Sequence, residues 1–174
     1  SAHDFAAIRA ELGLPPGQPI LEALAALPER VSALLWARLD ALELELAQRA
    51  RPAPGAAALL SALHGRGARL GILTRNSFAN SLVTLHSAGL GAFFAPDDVV
   101  AREQAPPKPR PDGIHRLLAH WNARPEEAVM VGDYRFDLEA GRAAGVATVY
   151  VDLDGSRTFE AHADLRVTRL DELS

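Results

Sequence analysis

Apolar residues recur at every third or fourth position through the first fifty residues of the chain. The clearest series is a valine followed by four leucines, at Val31, Leu35, Leu39, Leu42 and Leu46. This spacing places apolar side chains on one face of a helix, and two shorter helical patterns precede it. A proline-rich segment, RPAPG at residues 51–55, ends the series. We therefore expect residues 1–50 to form a small layer of amphipathic helices without a strand.

Beyond this break, helical patterns alternate with short apolar runs. The strongest runs read RLGILT, AVMVGD and VATVYV, and weaker ones lie at residues 98–101 and 165–167. Helices that alternate with apolar strands are typical of a parallel sheet covered on both faces. Residues 51–174 are therefore predicted to form an α/β core, a Rossmann-like parallel sheet sandwiched by helices, with residues 1–50 as a helical cap. Ligands of such sheets bind beyond the carboxyl ends of the strands.

The composition of the 174 residues narrows the classes of partner. The formal net charge is −4, so no basic field is available to hold a nucleic-acid backbone. No apolar run approaches the roughly 20 residues that span a bilayer, and a signal-peptide pattern is not found. Cysteine is absent, which excludes disulfides and thiolate chemistry. We expect a cytoplasmic monomer or homodimer that binds neither nucleic acid nor membrane.

Four polar residues lie where the predicted sheet would bind a ligand. Thr74 ends one strand, Asp133 ends another, and Asp137 follows Asp133 by one helical turn. Lys108 lies in the loop PPKPRP and is the only lysine among 18 basic residues. Taken singly, Thr74 and Asp133 could start helices, and the other two could be solvated charges. Together, a hydroxyl and an ammonium beside two carboxylates that can hold Mg²⁺ indicate a phosphate site.

Three segments contain these residues, namely GILTRN, PPKPRPDGI and VMVGDYRFDLEAGRAAG. They resemble the second, third and fourth motifs of haloacid dehalogenase-like hydrolases, closest to the phosphoglycolate phosphatase and phosphoglucomutase-like branch. The resemblance implies that Thr74 binds phosphoryl oxygens and that Lys108 neutralises the nucleophile and the phosphate. It also implies that Asp133 ligates Mg²⁺ and that Asp137 orients Lys108 or a metal-bound water, with both carboxylates able to face one cation.

The activity implied by the resemblance is that of a Mg²⁺-dependent phosphatase acting on a small phosphorylated metabolite through an aspartyl-phosphate intermediate. Arg75 and Asn76 follow Thr74 and are expected to contact the substrate, although Asn76 can equally cap the next helix. An alternative is a catalytically inactive relative that binds phosphate and Mg²⁺. A phosphoacceptor signalling domain also groups Asp, Thr and Lys around Mg²⁺, but it has no helical cap.

The family's first motif is an apolar strand followed by DxDxT or DxDxV, and it is expected directly before the cap, where this chain reads SAHDF. That motif carries the nucleophilic aspartate and the acid–base aspartate. We therefore expect the nucleophile in a segment that precedes Ser1, and the 174 residues alone to be inactive or nearly so. The segment VDLDGS has a similar spelling. It could be the first motif only in a circularly permuted chain. Because it follows the fourth motif directly, Asp152 and Asp154 are interpreted as turn residues of the neighbouring strand.

Overall fold

Three helices make up the N-terminal part of the chain, called the cap below, in a computed structural model, which describes residues 5–174. They are α1 (Phe5–Glu11), α2 (Ile20–Ala25) and α3 (Glu29–Gln48). Residues 1–4 of the predicted cap lie outside the described residues. The helices enclose an apolar cluster of their own, in which Leu24 and Leu39 are almost completely buried. The helical pattern of the sequence thus corresponds to a small core within the cap.

The remaining elements alternate between helices and short strands. In chain order they are α4 (Ala56–Gly65), β1 (Ile72–Leu73), α5 (Phe78–Ser87), β2 (Val99–Val100), α6 (Asp112–Trp121), β3 (Val129–Gly132), α7 (Arg135–Ala144), β4 (Ala147–Val151) and β5 (Leu165–Val167). Every strand pairing among the described residues is parallel. The predicted α/β class with parallel strands and flanking helices is confirmed. No helix within residues 5–174 is long and apolar enough to cross a membrane.

Helices α6 and α7 cover one face of the strands. Ile114 and Leu118 of α6 pack with Ala140 and Ala144 of α7, and Leu73 of β1 and Met130 of β3 contact the same cluster. β1 and β3 are therefore held against one shared helical layer. The cap meets the core on another side, where α3 packs against α5.

The sheet differs from the expected continuous one because the described strands form two separate pieces. β1 pairs with β2, while β4 lies between β3 and β5. No described strand bonds to the second edge of β1 or to the second edge of β3. Val129 and Val131 of β3 are 57% and 41% exposed, although the apolar sequence of this strand predicts burial on both faces. The apolar sequence of β3 thus matches an interior strand, yet the described chain covers only part of its surface.

Candidate active site

A cavity of about 450 Å³ lies between the cap and the core. Its wall on the cap side is mainly apolar and includes Ile8, Leu21 and Leu39. Its wall on the core side carries the polar groups that the sequence singled out, namely Thr74, Arg75, Asn76, Lys108, Asp133 and Asp137. The volume is within the range of small-molecule sites. The fold therefore brings all six predicted site residues to the wall of one cavity.

Thr74 follows β1 directly and is fixed by its main chain. Its N–H donates to the carbonyl of Val100 in the neighbouring strand at 3.0 Å, and its Oγ1 accepts from the N–H of Asn76 at 3.1 Å. A threonine hydroxyl that accepts one hydrogen bond still has its own hydrogen to donate. Thr74 can therefore donate to a phosphoryl oxygen in the cavity.

The N-cap of α5 is Ser77 and not Asn76. Ser77 precedes α5, and its side chain accepts from the N–H of Asn80 at 3.3 Å. The side chain of Asn76 instead accepts from the N–H of Ser77 at 2.8 Å. Asn76 therefore shapes the turn between Thr74 and α5, and it lines the cavity from there.

Lys108 reaches the cavity from the loop before α6. Its Nζ donates to the carbonyl of Leu73 in β1 at 2.8 Å and forms an ion pair with the carboxylate of Asp137. The side chain of Lys108 is 13% exposed. The ammonium is thus held at the carboxyl end of β1, next to Thr74, where it can neutralise a phosphate.

Asp137 is buried on the first turn of α7, and both of its oxygens are occupied. Oδ1 accepts from Lys108, and Oδ2 accepts from the N–H of Tyr134 at 3.1 Å. A Cβ at position 132 would lie 2.2 Å from the Cβ of Asp137, so only glycine allows this approach. Gly132 is a site residue that the sequence analysis missed, although its place directly before Asp133 was a usable signal. The hydrogen bonds favour the orienting role of Asp137 over direct metal ligation.

Asp133 follows β3 directly and lines the same cavity. Within residues 5–174, no group of three or more His, Cys, Asp or Glu side chains is arranged to hold a metal ion. Mg²⁺ is commonly bound by one or two carboxylates together with waters and substrate phosphate, so an incomplete set is compatible with this ion. The residues present therefore fit a partial Mg²⁺ site in which Asp133 would be one ligand.

Arg75 lies at the cavity wall, but its guanidinium is engaged by protein groups. Nη2 donates to Glu22 of α2 at 2.6 Å, and Nη1 donates to the main-chain carbonyl of Lys108. The group also stacks over the ring of Phe136, 4.9 Å from its centre. The role predicted for Arg75 was substrate contact, whereas its observed partners link the cap to the core. The sequence could not indicate this, because Glu22 lies 53 residues away.

A second arginine joins the cap to the core beside the cavity. Arg102 pairs with the carboxylate of Asp40 and donates to Glu43 Oε2 at 2.9 Å, both on α3. It also stacks over Trp36. Burial raises the pKa of Glu43 to about 7, because the desolvation of this carboxyl outweighs the attraction of Arg102. A carboxyl with this pKa changes charge near neutral pH at the edge of the cavity.

Asp152 and Asp154 have structural contacts and do not line the cavity. Asp152 is 1% exposed, and its Oδ2 accepts from Arg166 Nε at 2.7 Å and from the N–H of Arg157 at 3.1 Å. Burial acts to raise the pKa of Asp152, but these hydrogen bonds lower it to about 2. Asp154 accepts from the N–H of Ser156 at 2.9 Å, as a turn residue does. Since β4 pairs with β3 and β5, the strand before Asp152 is the outer neighbour of β3.

Comparison with known proteins decides the family. The model of the haloacid dehalogenase-like hydrolase family matches residues 4–145. The chain belongs to the haloacid dehalogenase-like hydrolase family. The resemblance of its three motifs to those of this family is thereby confirmed.

Individual relatives of this haloacid dehalogenase-like hydrolase differ in how much of their length is matched. An uncharacterized hydrolase of Saccharomyces cerevisiae is 30% identical over 98% of this chain and 79% of its own length. A phosphoglycolate phosphatase of Rhodospirillum rubrum is 38% identical over 60% of this chain, a match that spans 43% of the relative. The crystal structure of a HAD hydrolase, family IA, variant 3, from Entamoeba histolytica superimposes with a TM-score of 0.78 at 15% identity, covering 91% of this chain and 76% of that one. The last likeness concerns the fold.

Proposed function

We propose that the protein is a Mg²⁺-dependent phosphatase that hydrolyses a small phosphorylated metabolite through an aspartyl-phosphate intermediate. The observation that carries this proposal is the meeting of Thr74, Lys108, Asp133 and Asp137 around one cavity at the carboxyl ends of β1 and β3. A hydroxyl and an ammonium that converge on one space suit the oxygens of a phosphoryl group. A relative named phosphoglycolate phosphatase supports the same class of reaction.

The nucleophile is proposed to lie on a further strand between β1 and β3. Both of these strands pack on the same helical layer, yet they are not paired with each other. β1 and β3 each have a backbone edge without a described strand partner, and Val129 and Val131 of β3 are exposed. A strand paired with both edges would use these hydrogen-bonding groups and would cover apolar surface of β3. A parallel strand inserted there would end beside Thr74 and Asp133. An aspartate directly after that strand would therefore face the cavity.

The reaction requires one covalent transfer and one hydrolysis. A carboxylate oxygen of the inserted strand's aspartate attacks phosphorus, and the bond between phosphorus and the substrate oxygen breaks. The leaving oxygen takes a proton from a second acid of that strand. Water then gives a proton to that second acid, now ionised, and attacks the phosphorus of the acyl phosphate, which breaks the bond to the carboxylate, releases inorganic phosphate and restores both aspartates.

Each described side chain has a separate task in this scheme. Thr74 donates its hydroxyl hydrogen to a phosphoryl oxygen, and the Lys108 ammonium neutralises charge on the nucleophile and the phosphate. Asp137 holds Lys108 in place through their ion pair. Mg²⁺, when bound by Asp133 and a carboxylate of the inserted strand, would supply further charge neutralisation at the phosphate.

The test uses the protein together with the segment that supplies the acidic strand. Hydrolysis of p-nitrophenyl phosphate is measured with and without Mg²⁺ in the wild type and in Asp133→Asn and Lys108→Arg. We expect Mg²⁺-dependent turnover that falls by roughly 10²-fold or more in either variant, as expected when a group that stabilises transition-state charge is removed. The 174 residues alone should not hydrolyse the substrate, because the proposed covalent acceptor lies on the inserted strand outside them.

A matched control is available two residues from Lys108. Arg110 is 67% exposed at its side chain and pairs with Asp112, so Arg110→Lys exchanges the same two residue types outside the cavity. It should retain full activity. Wild-type protein that binds phosphate and Mg²⁺ without hydrolysing any phosphomonoester would instead support an inactive binding relative. Turnover that is unchanged in Asp133→Asn would contradict the proposed role of this carboxylate.

A further inference from the structure

One guanidinium joins the cap to the loop that carries Lys108. Arg75 donates to Glu22 on α2 and to the main-chain carbonyl of Lys108, and it stacks over Phe136 at the start of α7. The side chain of Arg75 is 19% exposed. A planar guanidinium with both arms bonded and one face stacked is fixed in a single orientation. Arg75 therefore connects the cap, the Lys108 loop and α7 through one rigid group.

Lys108 is consequently held at both of its ends. Its carbonyl oxygen accepts from Arg75, while its ammonium donates to Leu73 O and to Asp137. All three of these partners belong to the core. Glu22, which orients Arg75, belongs to the cap. The hydrogen bond to the main-chain carbonyl of Lys108 is thus the one that depends on the cap, because Glu22 orients its donor Arg75.

We propose that Arg75 is a positioning residue that couples closure of the cap to the orientation of Lys108. With the cap closed, Glu22 fixes one arm of the guanidinium and the other arm holds the Lys108 carbonyl. When the cap opens, Glu22 is withdrawn and Lys108 loses one of its two fixed ends. Closure would then place the ammonium correctly only after substrate is enclosed, which is a common use of mobile caps. This role rests on the proposed phosphatase function.

The second connection between cap and core provides a natural comparison. The guanidinium of Arg102 makes its hydrogen bonds to Asp40, to Glu43 and, at 3.4 Å, to the carbonyl of Arg75. Asp40→Asn therefore weakens an ion pair between the cap and the core but removes no partner of the Arg75 guanidinium. Glu22 and Asp40 are similarly exposed, at 41% and 48%. The two substitutions differ chiefly in whether the Arg75 contact is affected.

The experiment measures how fast Lys108 reacts with an acetylating reagent. Lys108 is the only lysine of these 174 residues, and peptide mass spectrometry separates it from any amine elsewhere in the complete protein. We expect Glu22→Gln to raise the acetylation rate about two- to fivefold, the effect of losing a partly exposed ion pair. Arg75→Gln should raise it at least as much, and the double variant no further. Asp40→Asn should leave the rate near that of the wild type.

Steady-state kinetics give a second readout in the active protein. Glu22→Gln should lower kcat more than it changes KM, because it displaces a group that acts on the reacting phosphate. An acetylation rate that is unchanged in Glu22→Gln, or raised equally by Asp40→Asn, would overturn the proposed coupling. Since acetylation requires no turnover, an inactive wild type would reject the phosphatase function and leave this measurement valid. Glu22→Gln alters a half-exposed residue, so it tests the proposal even if Arg75→Gln fails to fold.

Discussion

Replacing Gly132 with alanine tests how closely Asp137 must approach the end of β3. A Cβ at this position would lie 2.2 Å from Asp137 Cβ, 2.5 Å from its Cγ and 2.6 Å from its Oδ2. Ordinary van der Waals contacts of a Cβ lie at 3.4–4 Å, so the side chain of Asp137 must move by about an ångström. That movement strains the bond from the Tyr134 N–H and displaces the carboxylate from Lys108.

The loss of stability expected for Gly132→Ala follows from this crowding. Overpacking of this kind costs about 1–3 kcal/mol, and in a chain of this size each kcal/mol lowers Tm by about 2–4 °C. We therefore expect Gly132→Ala to lower Tm by roughly 2–12 °C. In the complete protein it should also lower phosphatase activity far more than the loss of stability explains, because Asp137 no longer holds the Lys108 ammonium.

Differential scanning calorimetry measures the change in Tm. Gly65→Ala is the matched control. Gly65 is the last residue of α4, and a Cβ there meets no atom within 4 Å. Alanine in a helix is favoured over glycine by up to about 1 kcal/mol, so this control should melt at or above the wild-type temperature. If Gly132→Ala melts with the wild type and leaves the acetylation rate of Lys108 unchanged, the explanation of the Asp137 position is wrong.

Two further predictions concern pH and the two carboxyls with shifted pKa values. Asp152 has a pKa lowered to about 2, so its stabilising contribution is complete above about pH 4, its ordinary range, and is lost as the pH falls toward 2. Asp152→Asn should be less stable at neutral pH and should lack this acid-dependent loss in urea unfolding. Glu43 has a pKa raised from 4.5 to about 7, so its contribution is complete below pH 4.5 and is lost as the pH rises through 7. Glu43→Gln should remove this decline; an identical decline in the variant would assign it to another group.

Local patterns predicted the helices better than the strands. Helix α6 is an example, because its apolar spacing, its acidic first residue Asp112 and the asparagine that ends it at position 122 are all local features of the sequence. The run RLGILT, by contrast, yields only Ile72–Leu73 as β1. The extent of a strand depends on its neighbours, and β1 is bonded on one edge alone among the described residues. Apolar sequence identifies a strand, but pairing sets its length.

Site residues that depend on local sequence could be predicted, whereas those that depend on contacts between distant segments could not. Thr74 and Asp133 follow apolar runs directly, so the rule for parallel sheets brings them to one edge without any knowledge of packing. Glu22 and Arg102 act through ion pairs between the cap and the core, and no local pattern indicates such partners. The position of Arg75 beside Thr74 predicts its place at the cavity, but its partners depend on how the cap packs against the core.

The single lysine of the chain is explained by the space around its ammonium. Lys108 Nζ reaches a main-chain carbonyl of β1 and a buried carboxylate of α7 from one point, with 13% of the side chain exposed. A compact ammonium can direct its donors to both partners and still turn one toward a bound phosphate. A guanidinium is larger and its donors are confined to a plane, so it would displace Asp137 or withdraw from Leu73. The chain therefore uses lysine instead of arginine at the one position where the site requires a compact charge with hydrogen-bond donors in three directions.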